Sequence, residues 1–157
     1  MIKVIITGSN GLLGQSLLNL LLKDKHKYQV FVFSRGKNRS GREDFSYTSI
    51  DITDEIILKK NIKEIQPNFI INTAAMTQVD DCENKKEACD LLNTTVVKWL
   101  SEVSEEINAH VIHISTDFIF DGIKGNYKET DKPNPLSYYG VSKLKSEEVL
   151  IQSKINF

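Results

Sequence analysis

Apolar residues follow two rhythms along this chain. Short, near-continuous runs rich in β-branched and aromatic residues fall at Ile2–Ile6, Gln29–Phe33, Phe69–Asn72 and His110–Ser115, with a weaker one at Tyr47–Ile50. Stretches such as Val30-Phe31-Val32-Phe33 lack the apolar–polar alternation of a strand with one wet face, so they predict strands covered on both sides, as in a parallel sheet. Between them the spacing changes to a helical period. Leu13, Leu17, Leu18, Leu21 and Leu22 predict a helix over Leu12–Lys23, and Ile57, Leu58, Ile62 and Ile65 predict one over Glu55–Ile65. A third runs over Lys85–Ile107 on Leu92, Val96, Trp99, Leu100, Val103 and Ile107. Alternating strands and helices make βαβ units with right-handed crossovers, so the expected fold is a doubly wound α/β parallel sheet.

Composition narrows the function classes without changing that picture. The chain has 157 residues, the size of one domain, and 40% of them are hydrophobic, which excludes intrinsic disorder. Twenty Lys and Arg balance 21 Asp and Glu for a net charge of −1, leaving no summed positive field for nucleic acid, which is excluded as a partner. No apolar stretch approaches the ~20 residues of a membrane span, and the first run stops at Gly8, too short for a signal peptide; no membrane partner is expected. Cys82 and Cys89, two helical turns apart, read as reduced thiols, and the cytoplasm is the expected compartment. His26, His110 and His113 lack a second ligand at metal spacing, so no metal is expected, and Trp99 reads as a helix-packing residue.

The first candidate chemistry lies directly after the first strand, in Gly8-Ser9-Asn10-Gly11-Leu12-Leu13-Gly14. A strand, a glycine loop and a helix in that order are what a dinucleotide needs: a tight turn at Gly8, close backbone approach at Gly11 and helix packing at Gly14. Asn10 and Leu12 complete this candidate cofactor-binding set, and the helix N-terminus offers N–H groups to a diphosphate. Where an acidic residue would meet a ribose 2′-hydroxyl, at the end of the second strand, the chain has Ser34-Arg35-Gly36-Lys37. An arginine there suits a 2′-phosphate, so NADP(H) is the preferred cofactor and NAD(H) the alternative.

The second candidate lies near the other end, in Tyr138-Tyr139-Gly140-Val141-Ser142-Lys143. On a helix, Tyr139 and Lys143 share a face one turn apart. A nearby ammonium stabilises a phenolate, so Lys143 is expected to lower the Tyr139 pKa and make it a usable acid–base group. The strand ending Ser115-Thr116-Asp117 brings hydroxyls to a carboxyl end of the sheet, where ligands bind in such folds.

These segments, with Asp51-Ile52-Thr53-Asp54, Asn72-Thr73-Ala74-Ala75-Met76-Thr77-Gln78-Val79-Asp80, Leu92-Asn93 and Ser115-Thr116-Asp117-Phe118-Ile119-Phe120-Asp121-Gly122, resemble the extended short-chain dehydrogenase/reductase superfamily, in its dTDP-4-dehydrorhamnose reductase branch. The resemblance implies an NAD(P)-binding Rossmann fold and a catalytic triad of Thr116, Tyr139 and Lys143, with Tyr139 and Lys143 also touching cofactor. It implies that Asp51 and Ile52 lie by the adenine, that Ala74 and Ala75 line the path to the nicotinamide, and that Thr77 and Asn93 belong to the cofactor site. The implied reaction is hydride transfer from NADPH to C4 of a nucleotide-linked 4-keto-6-deoxysugar, with Tyr139 donating the proton.

The same resemblance makes residues 1–157 a cofactor domain stopped after the Tyr/Lys helix, lacking the lobe that would hold the nucleotide-sugar substrate. The polypeptide is therefore expected to bind cofactor and to be inactive alone; a homodimer remains open. Two rival classes are a reductase-like regulatory subunit of the methionine adenosyltransferase β type, disfavoured by the intact Thr116, Tyr139 and Lys143, and a nucleotide-sugar epimerase or dehydratase. A dehydratase would carry an Asp-Glu pair after the strand-end Thr, whereas here Asp117 precedes Phe118.

Overall fold

The structure, a computed structural model, describes residues 1–157. Five strands, β1 (Ile2–Thr7), β2 (Tyr28–Ser34), β3 (Ser46–Ser49), β4 (Phe69–Asn72) and β5 (His110–His113), form one sheet in the order β3-β2-β1-β4-β5. Every neighbouring pair is parallel. Six α-helices connect and cover them: α1 (Leu12–Leu21), α2 (Glu55–Ile65), α3 (Val79–Asn84), α4 (Lys86–Asp90), α5 (Val96–Ile107) and α6 (Tyr138–Gln152). This is the NAD(P)-binding Rossmann arrangement, with the strand order reversing at β1 and β4.

The apolar runs are explained by burial on both sheet faces. Val4 and Ile6 pack with Leu18 and Leu22 beneath α1, while Ile5 and Ile70 pack with Leu58, Ile62 and Leu100 beneath α2 and α5. Each such fully buried side chain contributes roughly 1.5–3 kcal/mol. Trp99 packs, half-buried, against the second cluster. At the β5 edge Val111 is covered by Val97 and Leu150, whereas Ile112 and Ile114 on the other face stay exposed. No helix is long and apolar enough to cross a membrane.

Four expected elements differ from those observed. The weak strand lies over Ser46–Ser49, one residue earlier, and the last strand ends at His113, where the backbone turns toward a 3₁₀ turn at Asp117–Ile119. The first helix tightens into a 3₁₀ turn over Leu22–Asp24. The single long helix expected over Lys85–Ile107 is instead α4, a π turn at Leu91–Thr95 and α5. The apolar period is continuous through the π turn, because one wide turn alters which way Asn93 points without moving the buried stripe off the sheet. The short helix α3, absent from the periodicity, is separated from α4 by Lys85 at φ −130°. Cys82 and Cys89 therefore lie on two helices and not along one straight helix; both are fully buried and free.

Candidate functional site

The carboxyl ends of the strands surround a cleft of about 230 Å³. Its floor is the turn after β1. Gly8 has φ +71°, and a Cβ there would lie 2.8 Å from the Ala74 nitrogen and 2.9 Å from its Cα. Only glycine accepts both the left-handed backbone and the close passage of the loop after β4. Gly14 packs against the Gly8–Ser9 backbone, which seats α1 on the turn. Gly11 stands at the N-cap of α1 and no side chain caps that terminus, so the first-turn N–H groups face the cleft end of the helix without a partner from a side chain.

Eight of the expected cofactor residues line the cleft: Gly8, Gly11, Ser34, Arg35, Asp51, Ile52, Ala74 and Ala75. Phe33, Ile50, Thr53, Thr73 and Leu92 line it as well; Phe33, Ile50 and Leu92 read as core in the sequence, and Thr53 and Thr73 entered only within longer motifs. Leu12 is 90% exposed at the start of α1, and Thr77 is exposed on the loop before α3. Asp51 accepts hydrogen bonds from the Thr53 N–H (3.0 Å) and hydroxyl (2.7 Å), which hold its carboxyl below the usual carboxylate range. The Arg35 guanidinium lies 3.8 Å from it across the mouth of the cleft.

Two of the expected cofactor residues have their side chains engaged by the protein itself. The Asn10 side chain organises the basic loop after β2. Its Nδ2 donates to the carbonyls of Arg35 (3.1 Å) and Lys37 (3.0 Å), and its Oδ1 accepts from the Arg39 N–H (3.0 Å). Tyr47, which sequence reasoning passed over as a strand residue, donates to the Gly36 carbonyl (2.8 Å) and contacts Asn10. Asn93 is fully buried and spent on the chain: its Oδ1 accepts from the Met76 N–H (2.8 Å), and its Nδ2 donates to the Met76 carbonyl (3.0 Å) and Ser142 Oγ (2.9 Å). From the π turn it ties the Ala75–Thr77 loop to α6.

The catalytic candidates converge at the start of α6. Ser137 caps the helix, its Oγ accepting from the Gly140 N–H (3.1 Å). A Cβ on Gly140 would stand 2.3 Å from the Phe118 carbonyl, so glycine lets the first turn of α6 press onto the segment carrying Thr116. The Tyr139 ring meets Phe118 edge-on at 5.8 Å, and the Thr116 hydroxyl, which accepts from the Phe118 N–H (3.2 Å), acts to lower the Tyr139 pKa. Ser115 points elsewhere, donating to Glu147, so Thr116 is the hydroxyl at the phenol.

The expected effect of Lys143 on Tyr139 is corrected by this geometry. Lys143 is 1% exposed, and its Nζ lies 2.6 Å from the Ile114 carbonyl and 2.8 Å from His113 Nε2. Burial raises the Tyr139 pKa and Thr116 only partly opposes it, the reverse of the expected lowering. Burial also pulls Lys143 down to about 8.

A glycine-turn cradle at the switch point of a parallel 3-2-1-4-5 sheet, with Thr116, Tyr139 and Lys143 at the neighbouring strand end, defines a dinucleotide-binding protein of the Rossmann class. The profile of the RmlD substrate binding domain matches residues 2–157, and the chain belongs to that family. It is 39% identical over 152 residues to a dTDP-4-dehydrorhamnose reductase of Aggregatibacter actinomycetemcomitans, covering 96% of this chain and 47% of that protein. It is 30% identical over 151 residues to the methionine adenosyltransferase 2 subunit beta of Xenopus laevis, covering 96% and 43%. Among solved structures, a Bacillus anthracis dTDP-4-dehydrorhamnose reductase in complex with NADP superposes with a TM-score of 0.82 at 28% identity, over 98% of this chain and 50% of that one. The chain spans about half the length of the curated relatives it matches.

Proposed function

We propose that this chain is the cofactor-binding part of an NADPH-dependent reductase acting on the C4 ketone of a nucleotide-linked 4-keto-6-deoxysugar, of the dTDP-4-dehydrorhamnose type. The observation that carries the reading is the tight Gly8 turn, packed against the loop after β4, that sets the uncapped N-terminus of α1 at the cleft formed by the carboxyl ends of the strands. Bound NADPH would supply the hydride. Gly8, Gly11, Ala74 and Ala75 would hold its diphosphate, Ser34 and Arg35 its 2′-phosphate, and Asp51 and Ile52 its adenine. At the reacting end Tyr139 carries the proton for the carbonyl oxygen, and Thr116, on the segment against which the first turn of α6 packs, orients the same oxygen. A Tyr139 with a raised pKa stays protonated at neutral pH, which suits the direction of reduction. Lys143 is assigned the nicotinamide ribose. The intact Thr116, Tyr139 and Lys143 favour a reductase over a regulatory subunit.

Titration with NADPH and NADH, followed by nucleotide fluorescence, tests the reading. NADPH is expected to bind with micromolar affinity and more tightly than NADH; binding of neither nucleotide overturns it. Asn10→Ala is expected to weaken NADPH by roughly fivefold, the net worth of about one hydrogen bond, and to leave NADH within about twofold. Equal losses for both nucleotides would mean that Asn10 acts on the shared diphosphate and not through the Arg35–Arg39 loop.

A further inference from the structure

The first turn of α6 is held from two sides. On one side Gly140 lets its backbone press onto the Phe118 carbonyl, and the Tyr139 ring meets Phe118 edge-on. On the other side stands Tyr138, the residue before the candidate phenol, and both of its ends are engaged by carboxylates. Its N–H donates to Glu83 Oε1 of α3 at 2.6 Å, and its hydroxyl donates to Asp90 Oδ2 of α4 at 2.6 Å. Lys86 and Lys145 lie over its ring, 4.9 and 5.5 Å from the centroid. Each of these lysines also meets one of the two carboxylates, Lys86 with Glu83 at 3.8 Å and Lys145 with Asp90 at 3.2 Å.

These contacts do two different things. The first N–H groups of a helix have no partner within it, and a carboxylate placed there gains both a charge-assisted hydrogen bond and the field of the helix dipole. Ser137 Oγ satisfies the Gly140 N–H from within the chain, and Glu83 satisfies the Tyr138 N–H from a different helix, which fixes where α6 begins relative to α3. The bond to Asp90 fixes the side chain relative to α4 and pushes the Tyr138 phenol up to about 12, so Tyr138 remains a proton donor throughout the working range and serves as an anchor. The next turn is tied to the same block of helices. Ser142 Oγ accepts from Asn93 at 2.9 Å and donates to the Tyr139 carbonyl at 2.7 Å, and Thr94 Oγ1 donates to the Ser142 carbonyl at 2.9 Å.

We propose that Tyr138 is a positioning residue for Tyr139: gripped at its N–H by Glu83 and at its hydroxyl by Asp90, it holds the first turn of α6 against Phe118 and so fixes where the neighbouring phenol stands. The helix α3 that carries Glu83 starts at Val79, directly after the loop of Ala75, Met76 and Thr77. The grip therefore joins the loop assigned to the nicotinamide path and the helix assigned to the proton donor into one frame. That consequence for the reaction rests on the role given to Tyr139 above; the grip on Tyr138 does not.

The test uses this polypeptide without cofactor, at neutral pH. In NMR spectra of tyrosine-¹³C-labelled protein, the Tyr139 ring signals, assigned by their loss in Tyr139→Phe, are expected to be displaced from free tyrosine values by the Phe118 ring. Tyr138→Phe removes one hydroxyl and no charge, and is expected to return those signals most of the way to the free values. Asp90→Ala is expected to do the same. Asp90→Asn keeps an oxygen that accepts from the Tyr138 hydroxyl and is expected to keep the native signals, since the exposed pair with Lys145 contributes little. Tyr139 signals unmoved in a folded Tyr138→Phe protein, whatever its melting temperature, overturn the proposal, as does an Asp90→Asn spectrum that matches Asp90→Ala. In the unaltered protein the Tyr138 amide is expected to exchange its hydrogen at least about tenfold more slowly than an unstructured amide, because Glu83 occupies it. Exchange at the unstructured rate overturns the grip even where the variants fail to fold. Loss of NADPH binding with both measurements as expected would refute the reductase reading and leave this one intact.

Discussion

The Gly8→Val protein is expected to unfold at a temperature roughly 6–15 °C lower than the parent and to bind no dinucleotide. A non-glycine residue at φ +71° costs about 1–2 kcal/mol by itself. The added Cβ also lies under 3.0 Å from backbone atoms of Ala74, which cannot rotate away as a side chain would, so β1 and the loop after β4 must separate. The two effects together come to about 3–4 kcal/mol, and each kcal/mol shifts the midpoint of a domain this size by about 2–4 °C. Gly36→Val is the control, since Gly36 has φ +75° and nothing within 4 Å of a Cβ. It should lose only the conformational part, about 1–2 kcal/mol. Thermal unfolding of both variants decides the matter: equal losses would mean that the close approach to Ala74 contributes nothing.

The second large effect concerns the choice of nucleotide. Arg35→Ser is expected to weaken NADPH by about 10–100-fold and to leave NADH nearly unchanged, erasing the preference. Charge-assisted hydrogen bonds to a phosphate are worth about 1.5–3 kcal/mol, and Arg35 is the basic side chain that lines the cleft. In the free protein its guanidinium rests 3.8 Å from Asp51, both groups being well exposed, so the pair offers little resistance to a phosphate. Calorimetric titration of both nucleotides checks this. An Arg35→Ser protein that keeps its preference for NADPH would move the 2′-phosphate site to Lys37 or Arg39.

Much of the fold was legible because its signals are local. The apolar runs over Ile2–Ile6 and Phe69–Asn72 and the period of Glu55–Ile65 reflect neighbours within a few residues, and the elements follow them closely. The glycine loop was legible for the same reason, with strand, turn and helix consecutive in the chain. The π turn was not, because a widened turn leaves the apolar period unbroken while changing the direction of Asn93. His113 read as an ordinary strand residue. Its partners Asn72, Lys143 and Ser146 stand 30 to 41 positions away, and no local pattern announces them. Asn10 was assigned to the ligand because it sits inside the glycine loop, whereas its hydrogen bonds reach 25 to 29 positions along the chain into the loop after β2.

By itself the sequence determined the α/β alternation, the seat of the dinucleotide loop and the one-turn pairing of Tyr139 with Lys143, since each depends on spacing of a few residues. Only the tertiary structure decided what those side chains do. Strand register aligned Thr7, Asn72 and His113 into a row ending at Lys143, and burial then made every donor and acceptor in that row answer to the next. In a buried row an unpaired polar group has no water to satisfy it, so the placing of Lys143 is a property of three strands and a helix together and not of the Tyr-x-x-x-Lys spacing.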